Sequence, residues 1–165
     1  MSDKPDPIRE IDCLLAQHVL SYEMRIVKPD WYPFEVRTFF WRESKLPLMA
    51  YSYDQNACNA RMFANGVDSK DGSADPLPYW ADEDSEGYEW EVVDAMIKRG
   101  RHLWLSSLPG IYRTHYQCTF FDNAHTVVQE AVLADWPQAA IGLAALKAVG
   151  IDVSPFRDAV RLNNT

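Results

Sequence analysis

His102-Leu-Trp-Leu-Ser-Ser-Leu-Pro-Gly-Ile-Tyr-Arg-Thr-His-Tyr-Gln-Cys-Thr-Phe-Phe121 reads as two strands joined by a turn. Leu108-Pro109-Gly110-Ile111 lies between the two runs, with proline and glycine in the central positions that a type II turn favours. In the second run Tyr112, Tyr116, Cys118 and Phe120 alternate onto one face. Arg113, His115, Gln117 and Thr119 alternate onto the other. The stretch therefore predicts an antiparallel hairpin with one core face and one polar face.

Downstream, Thr126 to Leu133 reads as a further short strand or a short helix. Asp135-Trp136-Pro137-Gln138 has the form of a capping box, with aspartate capping and glutamine three residues on. The helix behind it runs to about Val149, is stopped by Gly150, and is apolar on every side. Such a helix is buried, and its alanines allow close approach to a neighbour. Ser154-Pro155 opens a short last helix.

Upstream, Asp6-Pro7 predicts a helix start, and Ile8, Ile11, Leu15, Val19 and Tyr22 continue it to about residue 23. Glu35 to Arg42 predicts a strand. A helix is expected from about Asp54 to Ala64 and another from about Glu89 to Arg99, the latter with Trp90, Val93 and Ile97 on one side. Between them, about 67–88, lies an insertion without periodicity, holding Gly72, Gly87, Pro76 and Pro78.

Charge concentrates in the same place. The 165-residue chain carries a net charge of −8, and Asp68 to Asp94 alone holds ten acids against Lys70. The remainder is therefore close to neutral, and a general affinity for nucleic-acid phosphates is not expected. Three separated cysteines and a polar start without an apolar leader suit a reducing cytoplasm. The most apolar stretch, Ala139 to Gly150, is too short to span a bilayer, so no membrane role is expected.

Three stretches resemble the phage ABA-sandwich domain family of small bacteriophage and prophage proteins. They are Ile8-Arg-Glu-Ile-Asp-Cys-Leu-Leu-Ala-Gln-His-Val-Leu20, Tyr51-Ser52-Tyr53-Asp54, and the closing alanine-rich helix Pro137 to Gly150. Glu89-Trp-Glu-Val-Val-Asp94 also resembles the helix that follows the tyrosine motif in that family. The resemblance covers most of the chain outside 25–45 and 65–88, and the acidic segment here separates the tyrosine motif from the Trp90 helix. It implies a three-layer α/β/α sandwich and a phage setting, without an established activity. The fold expected is thus α+β, a single domain over 1–165 with a mostly antiparallel central sheet.

No spacing of the four histidines and three cysteines forms a metal motif, and no nucleophile elbow or phosphate loop is present. Neither a catalytic residue nor a cofactor is therefore expected. Ser52 or Asp54 can cap a helix, or with a stacking tyrosine such as Tyr51 hold a ligand at its start. With Trp90, Arg113 and His115 they make up the expected ligand-binding set. Its expected occupant is a small host signalling molecule, such as a nucleotide, sequestered by a phage anti-defence protein. The alternative is an acidic inhibitor of a host protein, docking through Tyr79, Trp80, Asp82, Glu83, Asp84 and Glu86, with charge that imitates a nucleic acid. A third reading is an enzyme that uses His115. Homodimers are common for small domains and would add an inter-subunit pocket.

Overall fold

The computed structural model describes residues 6–27, 36–40, 47–49, 77–85 and 87–161. The chain divides into two compact units, Met1–Pro5 with Ser21–Pro78, and Asp6–Leu20 with Tyr79–Thr165. The expected helix at about 54–64 and the motif residues Tyr51, Ser52 and Asp54 lie outside the described residues.

The first unit holds an antiparallel sheet of β1 (Glu23–Val27), β2 (Val36–Phe40) and β3 (Pro47–Met49), in that order. Glu23 pairs with Phe40 and Val27 with Val36. Phe39 is buried, while the Arg25 guanidinium lies 4.7 Å above the Phe40 ring. Strand β2 falls within the expected 35–42. The first predicted helix, expected to about residue 23, ends instead at Val19, and β1 begins at Glu23. The chain turns at Ser21, whose φ of 60° ends any helix there.

The second unit begins with α1 (Pro7–Leu14), which continues as a π-helical turn over Leu15–Val19. Asp6 caps it as expected, accepting the Ile8 N–H at 2.9 Å. Helix α2 (Glu89–Lys98) buries Val92, Val93 and Met96. Trp90 and Ile97 face outward at 56% and 46% exposure, so the inward face is rotated from the one predicted.

Strands β4 (His102–Pro109) and β5 (Thr114–Phe121) form the expected hairpin, and β6 (Val132–Ala134) pairs along β5. Just before β6, the Gln129 side chain stands in for a backbone partner by accepting the Phe120 N–H. The turn differs from the prediction. Pro109 is still paired, with Thr114, so the loop is Gly110–Arg113. Gly110 does not adopt the positive φ of a type II turn. Glycine is needed there for space, because a Cβ would overlap the Arg113 carbonyl oxygen and come within 2.7 Å of His115 Nε2.

Helix α3 (Pro137–Ala148) is buried along Ala139 to Leu146. It packs on β5 and β6 on one side and meets α1, its π turn and α2 elsewhere. Cys118 and Phe120 of β5 and Val132 and Ala134 of β6 are buried. Gly150, with φ of 92°, ends the helix as expected. The protein is thus α+β with antiparallel pairing. Among the described residues the strands form two three-stranded sheets rather than one central sheet.

Candidate functional site

Three places in the second unit gather chemistry. At the hairpin loop, His115 Nδ1 lies 2.6 Å from Asp135 Oδ1, and Arg113 Nη1 is 4.0 Å from Asp135 Oδ2. The Asp135 side chain is only 2% exposed. Sequence reasoning gave this aspartate to the α3 cap. The helix instead starts after Trp136, which makes no side-chain cap bond. Strand register explains the difference, since β5 and β6 bring residues distant in sequence side by side and an ion pair outweighs the local cap.

Arg113 and His115, which strand alternation places on one face, thus meet at the same carboxylate. With Nδ1 held by the carboxylate, Nε2 is the ring nitrogen left for a further hydrogen bond. Trp90 lies on α2, and among the described residues no hydrogen bond or ring contact joins it to this pair.

The second place is the end of the acidic segment. Asp12 Oδ1 accepts the backbone N–H groups of Trp80 and Ala81, both at 3.0 Å, while Oδ2 pairs with Arg9 at 2.6 Å. Burial pushes the Asp12 carboxyl up to about 7, against the opposing pull of Arg9 and the two N–H groups. The Arg9 guanidinium stacks 3.9 Å from the Tyr79 ring centre. Trp80 has no exposed surface, and its indole N–H donates to Glu91. The indole of Trp136 donates to the Ala81 carbonyl at 2.6 Å.

Trp80, expected at a partner surface, is therefore a core residue. Next to these contacts, Tyr79, Asp82, Asp84, Ser85 and Tyr88 line a shallow cavity of about 350 Å³. Glu83 is exposed beside it, and Glu86 lies outside the described residues.

The third place was not foreseen. Between β6, the end of α3 and the C-terminal turn (Ser154–Phe156) lies an open cleft of about 480 Å³. Val132, Leu143 and Ile151 supply its apolar lining, and Lys147, Asp152, Ser154, Arg157 and Arg161 its polar lining. The Asp135 N–H donates to the Val160 carbonyl, tying the last turn beside β6. The sequence signal available was the i, i+4 spacing of Arg157 and Arg161, which sets both on one side of a helical turn.

Among the described residues no group of three His, Cys, Asp or Glu side chains could hold a metal ion. Burial pushes the Cys118 thiol up to about 12, which keeps it protonated and unreactive. No helix among the described residues is long and apolar enough to cross a membrane. Comparison of the chain with protein-family models, curated proteins and solved structures gives no match.

Proposed function

We propose that the protein works by binding a small molecule, without turning it over, in the cleft between β6 and the C-terminal turn. The cleft itself carries this reading. Its volume of about 480 Å³ lies within the few hundred to a thousand Å³ common for small-molecule sites. It also combines an apolar lining with a few polar groups. Its side chains include no histidine, no cysteine and only one carboxylate, Asp152, which is engaged by the Ser154 N–H.

The resemblance to phage ABA-sandwich proteins supports a setting in which a phage withdraws a small signalling molecule from host defence. Native mass spectrometry of gently purified protein, compared with a denatured sample, tests the reading. The expected result is an adduct released only on denaturation. Ala131→Trp, an exposed position lining the cleft, should abolish the adduct and leave the unfolding temperature unchanged. An apo mass throughout, under conditions that preserve the fold, would overturn it.

A second reading is favoured by the cavity of the acidic segment, where Tyr79 and Tyr88 are 39% and 44% exposed beside Asp82 and Asp84. Aromatic rings flanked by carboxylates suit a lysine or arginine side chain of a host protein. That reading requires binding to a basic protein that is lost in Asp82→Asn/Asp84→Asn.

A further inference from the structure

The cleft is unusual in charge. The chain as a whole is at −8, yet the cleft is lined by Lys147, Arg157 and Arg161 against the single carboxylate of Asp152. Among the described residues neither the Arg157 nor the Arg161 guanidinium has an ion-pair or hydrogen-bond partner, and both residues are exposed. Lys147 is 3.5 Å from Glu130, whose side chain is 93% exposed and free to move away. Two unpaired guanidinium groups four residues apart, with the Lys147 ammonium in the same lining, put an excess of cationic donors in one cleft. Arginine is the side chain suited to two-pronged binding of an oxyanion.

The rest of the lining limits the ligand further. Val132, Leu143 and Ile151 offer apolar contact and no hydrogen bonds from their side chains. Asp152 accepts the Ser154 N–H at 3.0 Å, and that bond holds its carboxyl below the usual carboxylate range. It stays ionised near neutral pH, so an anion settles away from it, toward the arginines. A bare inorganic anion would leave the apolar lining unused. A monocarboxylate would leave part of the excess positive charge unmatched, whereas a phosphate monoester carries close to two negative charges at neutral pH.

We infer that the cleft takes a phosphate monoester borne on an apolar group, with Arg157 and Arg161 clamping the phosphate and the apolar lining at Ile151 meeting the group it is borne on. The inference rests on the small-molecule reading above and names the ligand class of that site.

Phenyl phosphate, benzoate and phenol share one ring and differ in charge, so they separate the contributions. Binding to the full chain is followed by calorimetry at low ionic strength. Phenyl phosphate is expected to bind best, benzoate about ten-fold or more weaker, and phenol weakest. Arg157→Gln/Arg161→Gln should weaken phenyl phosphate roughly 10- to 100-fold and leave phenol unchanged. Both arginines are exposed, so the unfolding temperature should hold and show that the variant is folded. Equal binding of all three probes would overturn the phosphate assignment while leaving a small-molecule site in place. Undiminished phenyl phosphate binding by the double variant would overturn the clamp. Binding of none of the three would overturn this inference, and an apo native mass alongside it would remove the small-molecule reading as well.

Discussion

Asp12 shows how one buried carboxylate can serve two neighbours that sequence distance hides. It receives two backbone N–H groups from the end of the acidic segment and an ion pair from its own helix. Replacing it by alanine strands all three donors and is expected to cost about 3–5 kcal/mol in denaturant unfolding. Its pH dependence has a definite sign. The folded carboxyl titrates near 7, above its ordinary value of 3.8, so the folded state holds the proton more tightly than the unfolded one. Asp12 therefore favours folding most below about pH 4. That contribution fades as pH rises toward 7, by up to about 1.4 kcal/mol per pH unit, and is constant above. Asp12→Asn should remove this slope, and unfolding curves of both proteins between pH 4 and 8 check it. The Arg9 pairing is a local i, i+3 contact, but nothing around Asp12 announces its other role, because those partners are backbone groups of Trp80 and Ala81, whose identities say nothing about them.

At the scale of elements, local rules carried far. The Asp6 cap, the span of α2, the hairpin and the Gly150 stop were legible because each depends on residues within a few positions. Failures came where a distant element competed. Asp135 left its cap for His115 and Arg113, and Trp80 was drawn into the core from a stretch that composition marks as an acidic loop. The cleft was not legible either, because its lining comes from four separate stretches between Ala131 and Arg161. Helix α3 allows a direct test of packing. A Cβ on Gly142 would sit 3.1 Å from Leu15 Cδ1 and near Ala81 and Ile11. Gly142→Leu is expected to destabilise the fold by about 1–3 kcal/mol by overpacking, measurable by thermal unfolding.

For the whole molecule, the balance of charge sets two opposite salt responses. An anionic ligand must approach a chain at −8 before it meets the arginines of the cleft. Salt screens the long-range repulsion over about 8–10 Å near physiological strength and weakens close contacts less. The association rate of phenyl phosphate should therefore rise between low and physiological salt in stopped-flow measurements. A basic protein docking on the acidic segment would show the reverse, with its association slowing steeply. One salt series thus separates the two binding modes.

The second unit is assembled from Asp6–Leu20 and Tyr79–Thr165, with the other unit's residues between them. On the ribosome, the first helix emerges long before the strands and helices it will meet. At typical elongation rates about ten seconds pass between the appearance of Ile11 and that of the α3 residues that cover it. During that interval Ile11, Leu15 and Val19 form an apolar stripe that α3 does not yet cover. The nascent chain must hold that stripe in solution or lend it to a chaperone, so the yield of folded protein will depend on translation speed through the middle of the message.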